Sequence, residues 1–172
     1  VVVITDSDAD GLTCAALVQE THQGAVCVPT SPYGLEDCLN LVAKYSDQWV
    51  KIYICDLCPD SVEGIEPGLE ELCDKTDFIL WCDHHRWDKD VCDFVKSLGI
   101  RVELGDSSEE CAADVVFRVL NGEFSEFRSD IGIDATAEGE GAVRFKVCVD
   151  GLVAHGDVVK ASIGEENANQ VQ

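Results

Sequence analysis

Three stretches of the sequence carry side chains able to do chemistry. Asp6-Ser7-Asp8-Ala9-Asp10-Gly11 sets three carboxylates at alternate positions and follows them with a glycine. Asp56 ends one apolar run, and Asp83-His84-His85 ends another. Ionised carboxylates crowded into a small volume raise one another's pKa values unless cations neutralise them. A pair of divalent ions is the simplest remedy. Carboxylate and imidazole together favour a borderline metal such as Mn²⁺, with Mg²⁺ as substitute. A carboxylate bridging two ions about 3.5–4 Å apart forms a clamp that activates water against a phosphate ester.

Each element has a plainer reading by itself. Asp-x-Asp-x-Asp-Gly also opens a calcium loop, but the glutamate that loop needs would fall near Ala16 or Leu17 and is absent. Asp56 alone is an ordinary helix N-cap, and a His-His pair alone is surface or core filler. Cys55-Asp-Leu-Cys58 has no second C-x-x-C at a fixed distance, which argues against a structural zinc. Cys14, Cys27, Cys55, Cys82 and Cys148 sit in apolar stretches and read as small buried hydrophobes. What sets the acids and histidines apart is that they close successive strands.

Those strands follow from the hydropathy pattern. Short β-branched runs alternate with longer segments of helical period, the signature of β-α-β units and a parallel sheet. Strands are expected at Val1–Thr5, Ala25–Pro29, Val50–Cys55, Phe78–Cys82 and Ile100–Leu104, apolar enough to be covered on both faces. Helices are expected at Leu12–Thr21, Leu35–Tyr45, Val62–Asp74, Asp88–Leu98 and Glu109–Leu120. The fold class is α/β, a parallel five-stranded sheet with helices on both faces. Ligands of such sheets bind beyond the carboxyl ends of the strands, where all three stretches lie. After Gly122 glycines interrupt the alternation; Val143–Val149 reads as one more strand and the polar end as frayed.

The 172 residues, 46% hydrophobic, suit one globular domain with a small appendage. No run approaches the roughly 18 to 20 apolar residues of a membrane span, and no secretory signal opens the chain, so a cytoplasmic location is expected. The absence of Met and the strand-like opening suggest a piece of a longer chain. Acid dominates: 34 Asp and Glu against 12 Lys and Arg give a net charge of −22, spread along the chain. Such a surface repels itself unless salt screens it, which points to a salt-loving host.

In their order and intervals, Asp6-Ser7-Asp8-Ala9-Asp10-Gly11, Asp56 and Asp83-His84-His85 resemble the DHH phosphoesterase superfamily. The first motif resembles its RecJ-like exonuclease branch more than its oligoribonucleases and pyrophosphatases, where a His precedes the acids. The likeness runs from Val1 to Leu120, with Ser107-Ser108 opening the last helix. It implies a Rossmann-like DHH catalytic domain over 1–122, with 123–172 as its tail or the truncated start of a following segment, and a halophilic archaeal source. It also implies that Asp6 and Asp8 hold one Mn²⁺, that Asp10 and His84 hold the other, and that Asp56 bridges. His85 would face the scissile phosphate as the catalytic group, with Asp83 orienting an imidazole, and Arg86 is an even choice between phosphate contact and solvated charge. For the family's further Asp ligand, Asp134 is the candidate and Asp130 the reserve. The glycine-rich substrate motif of the family's second domain has no counterpart. His22 and His155 receive no role.

The function expected is Mn²⁺-dependent hydrolysis of phosphodiesters in single-stranded nucleic acid or oligonucleotides. Alternatives are a small substrate, such as a nucleotide monoester, cyclic dinucleotide or pyrophosphate, and a non-catalytic scaffold among replication or repair proteins. The overall charge has the wrong sign for nucleic acid, whose affinity comes from phosphate neutralisation. DNA against RNA, cleavage polarity and oligomeric state stay open.

Overall fold

The structure, a computed structural model, describes residues 1–45, 51–76, 78–106 and 108–120 in full and the backbone alone of 127–133, 142–149 and 152–160. The chain divides into two compact units, Val1–Phe124 and Ser125–Gln172.

The first unit runs β1 (Val2–Asp6), α1 (Ala9–Thr21), β2 (Val26–Thr30), α2 (Leu35–Lys44), β3 (Ile52–Cys55), α3 (Val62–Cys73), β4 (Ile79–Asp83), α4 (Lys89–Ser97), β5 (Arg101–Leu104) and α5 (Ala112–Val119). Its five strands form the parallel sheet that the hydropathy pattern dictates, in the order β2-β1-β3-β4-β5. Alternate residues serve the two faces. Val2, Ile4, Ile52, Ile54, Ile79 and Trp81 join Leu39, Leu69, Leu72 and Val95 in one core beneath α2, α3 and α4. On the other side α1 and α5 pack together over the intervening Val3, Tyr53, Leu80 and Cys82. Full cover holds for β1, β3 and β4; the edge strands β2 and β5 are half exposed, because each has a neighbour on one side only.

The order reverses between β1 and β3, the switch point at which such sheets open a crevice. Two local features fix α1 there. Asp8 caps the helix, its Oδ1 accepting the N–H groups of Asp10 and Gly11 at 3.0 Å each. Gly11 lies so close to β1 that a Cβ would fall 2.3 Å from the Asp6 carbonyl oxygen. Glycine is thus required for α1 to start directly against the end of β1.

One local expectation is corrected. Ser107-Ser108 does not open α5: the helix begins at Ala112 with Cys111 as N-cap, and the Asp114 carboxylate accepts the Cys111 N–H at 3.0 Å. Ser108 turns instead toward Asp106, whose Oδ1 accepts from the Ser108 N–H and Oγ at 3.0 and 2.6 Å.

The second unit contains an antiparallel sheet of β6 (Phe127–Ile133), β7 (Ala142–Val149) and β8 (Leu152–Lys160), with a register shift between Val147 and Cys148. A single strand at Val143–Val149 was expected. Strands β6 and β8 carry Gly132 and Gly156, and a glycine inside a run reads as a breaker even where pairing tolerates it. Asp134 lies outside the described residues; Asp130 is in β6, paired with Lys146. Among the described residues no helix is long and apolar enough to cross a membrane.

Candidate metal centre

The carboxyl ends of β1, β3 and β4 bring Asp6, Asp8, Asp56, His84 and His85 together. One ligand atom each from Asp6, Asp8 and Asp56 lie within 4.8 Å of one another, and so do one each from Asp56, His84 and His85. The two groups share Asp56. That residue is 2% exposed and takes a left-handed backbone, φ 56°, in which aspartate is among the few residues tolerated. The conformation ends β3 sharply, while the Asp56 N–H still donates to the Cys82 carbonyl at 2.9 Å. Asp56 is not the N-cap of α3; Ser61 is.

The Asp56 Oδ1 is buried without a hydrogen-bond partner among the described residues. His84 Nε2 lies 3.5 Å from it and His85 Nδ1 3.9 Å. Burial first, then the charges of Asp10, Asp8 and Asp83, push the Asp56 carboxyl up to about 9. A buried acid with one oxygen unpartnered among the described residues, beside two further carboxylates, is one whose charged form a nearby cation would favour.

The histidines are held from behind. His84 Nδ1 is 3.1 Å from the Glu110 carbonyl, which can only accept, so the proton sits on Nδ1 and the Nε2 lone pair faces Asp56 and, at 3.8 Å, Asp10. His85 Nδ1 is 2.8 Å from Asp83 Oδ1. A proton on that nitrogen is shared with Asp83, leaving Nε2 of the half-exposed ring free. Asp83 itself is fully buried: Oδ1 also accepts the His84 N–H at 2.8 Å, and Oδ2 accepts the Trp87 Nε1–H at 2.6 Å.

Asp10 stands outside both groups. Its two oxygens accept the N–H groups of Ala112 and Ala113, at 2.8 and 2.9 Å, so it caps α5 across 102 residues of sequence. A carboxylate there is favoured by the helix dipole. Of the partners that position these groups, Trp87 carried a sequence signal, an indole four residues past Asp83 whose N–H needs an acceptor wherever it is removed from water. The Glu110 carbonyl and the Ala112 and Ala113 amides carried none, since backbone groups are anonymous in sequence.

The family model that matches the chain is the NPCBM/NEW2 domain, over residues 109–169. The likeness to the DHH superfamily is corrected by this finding, and the RecJ-like, exonuclease and halophilic-archaeal expectations attached to it go with it. The matched segment begins at Glu109, beyond Asp6, Asp8, Asp10, Asp56, Asp83, His84 and His85. No curated protein matches the chain. A solved structure described as that of an uncharacterized protein from Helicobacter pylori G27 is similar at a TM-score of 0.47 and 16% identity, covering 69% of this chain and 34% of that one. The chain thus spans about a third of that protein's length.

Proposed function

We propose that the first unit binds two divalent cations, Mn²⁺ or Mg²⁺, and hydrolyses phosphoesters. The observation that carries this reading is the Asp56 carboxylate: buried, with an unpartnered oxygen, and common to an Asp6–Asp8 group and a His84–His85 group. The residues fit the cations by their chemistry, since oxygen and imidazole donors suit a borderline divalent ion. Bound cations would supply Lewis-acid activation of water and neutralisation of phosphoryl oxygens.

The chain's own residues supply the rest. Asp6, Asp8, Asp56 and His84, the last through Nε2, would hold the cations. Glu110 and Asp10 keep His84 in place, the first through its carbonyl and the second by fixing the start of α5. His85, its Nδ1–H on Asp83, presents Nε2 to carry the proton that the leaving oxygen needs. The substrate is a small phosphoester. The cysteines, free among the described residues, favour a reducing compartment such as the cytoplasm.

The test is calorimetric titration of Mn²⁺ into chelator-treated protein, together with hydrolysis of p-nitrophenyl phosphate and bis(p-nitrophenyl) phosphate. Two bound ions and Mn²⁺-dependent release of nitrophenol are expected. Absence of Mn²⁺ binding by the wild-type chain would overturn the reading.

A further inference from the structure

We propose that Arg86 anchors a second phosphate group of the substrate, so that the site takes phosphoesters carrying another phosphate beside the reacting one. The inference rests on the phosphoester reading above and names its substrate class.

Three observations support it. First, Arg86 has no carboxylate partner among the described residues. Of the three arginines whose side chains are described, Arg101 pairs with Glu103 at 2.8 Å and Arg118 with Glu110 at 3.4 Å, while Arg86 makes no ion pair among the described residues. On a chain with 34 acids against 12 bases, an arginine left unpaired is held where carboxylates do not reach it. The near acid is Asp106, whose carboxyl Arg86 helps to lower, but Asp106 is engaged with the Ser108 hydroxyl and amide.

Second, the backbone at Arg86 is fixed while its side chain is exposed. His85 before it and Trp87 after it are both hydrogen-bonded to the buried Asp83. The Arg86 carbonyl accepts the Cys58 S–H at 3.7 Å, which ties it to the segment two residues beyond Asp56. Trp87 is further held edge-on against Trp81, with ring centroids 4.9 Å apart. An exposed guanidinium on an anchored backbone gives up side-chain freedom on binding, but no backbone ordering is needed.

Third, the position is immediately after His85, the residue given the leaving-group proton, at the carboxyl end of β4. A guanidinium binds phosphate oxygens bidentately, and more selectively than an ammonium does. The protein as a whole repels an anion. A guanidinium one residue from His85, in no ion pair among the described residues, is what a doubly phosphorylated substrate needs, and a lone diester needs it far less.

The experiment compares wild type, Arg86→Ala and Arg86→Lys, as full chains in Mn²⁺. Substrates are bis(p-nitrophenyl) phosphate, dithymidine monophosphate, its 5′-phosphorylated form, and pyrophosphate. Arg86→Ala should lower kcat/KM for a two-phosphate substrate by roughly tenfold or more, chiefly through KM, and change the lone diesters far less. Arg86→Lys should recover part of the loss. A loss on the 5′-phosphorylated dinucleotide identifies a nucleotide end as the source, and a loss on pyrophosphate an inorganic or small-molecule one. Calorimetric Mn²⁺ affinity should be the same in Arg86→Ala as in wild type. Equal losses on all substrates, weakened Mn²⁺ binding, or no loss at all would overturn the inference. If the wild type hydrolyses none of the four with Mn²⁺ bound, the phosphoester reading fails and this inference with it.

Discussion

Two aspartates end neighbouring strands, and their surroundings differ in one respect. Asp83, at the end of β4, is fully buried and its two oxygens receive donors from His84, His85 and Trp87. Asp56, just past β3, is as deeply placed, yet its Oδ1 receives none, and the groups around it are chiefly other acids and the bare edge of an imidazole. A buried polar atom costs about 1–3 kcal/mol when unsatisfied. The chain thus completes the hydrogen bonding of one acid and leaves its neighbour's incomplete. The difference teaches that Asp83 belongs to the frame and Asp56 to what the frame receives.

The largest expected effect tests that division directly. Asp56→Asn, which keeps the left-handed backbone accessible, should weaken Mn²⁺ binding by about 100-fold or more, beyond what loss of an outer partner causes. The metal-free fold should be no less stable, as measured by calorimetric titration beside urea unfolding. If the Asn variant binds Mn²⁺ normally, the two aspartates do not differ as described. Next come the two histidines. His85→Ala should slow turnover by roughly 100-fold with Mn²⁺ affinity nearly kept, whereas His84→Ala should weaken Mn²⁺ binding; titrations and steady-state rates on both variants decide it, and equal metal loss in both would make His85 a ligand.

Asp83→Ala should act on the frame. Stripping the acceptor from the half-buried Trp87 N–H and from His85 should cost about 2 kcal/mol in urea unfolding, a loss that Asp56→Asn does not share. A smaller effect is one of pH. In the metal-free fold the Asp56 carboxyl is raised from 3.8 to about 9 by burial and neighbouring acids. Between those values the folded chain keeps a proton that the unfolded chain has released. Its contribution to stability is therefore complete below the unfolded value and declines as pH rises toward about 9. Thermal unfolding in chelator across that range should show the decline, and Asp56→Asn should flatten it. The smallest is general: salt from about 0.1 to 3 M should raise the unfolding temperature by screening the surface acids, while leaving the Asp56→Asn difference, which is buried, in place.

Much of this frame was legible in the sequence because it is written in periodicity. The runs at Val2–Ile4, Ile52–Ile54 and Ile79–Cys82 could be nothing but covered strands, and once they are parallel their final residues must share an edge. That reasoning put Asp6, Asp8, Asp10, Asp56, Asp83, His84 and His85 on one patch, of which the structure groups Asp6, Asp8, Asp56, His84 and His85. It did not reach the cap that Asp10 makes on α5, because nothing near Asp10 in sequence announces a partner at Ala112. Nor did it find the start of α5, since Ser107-Ser108 looks like a cap and Cys111 does not. In the second unit, β6 and β8 were hidden by Gly132 and Gly156, which weaken local propensity but not the pairing with β7.

The bond from Asp10 to the amides of Ala112 and Ala113 has a consequence for how the protein is made. Chains leave the ribosome at about 5–20 residues per second, so roughly five to twenty seconds separate the emergence of Asp10 from that of Ala112. Late in that interval, once residue 85 has emerged, Asp6, Asp8, Asp56, His84 and His85 are all present, while the carbonyl that orients His84 and the amides that occupy Asp10 are still to come. The geometry that orients His84 is therefore complete only after Ala113 has emerged. A nascent chain halted before residue 110 would hold those five side chains without the orientation that makes them a centre.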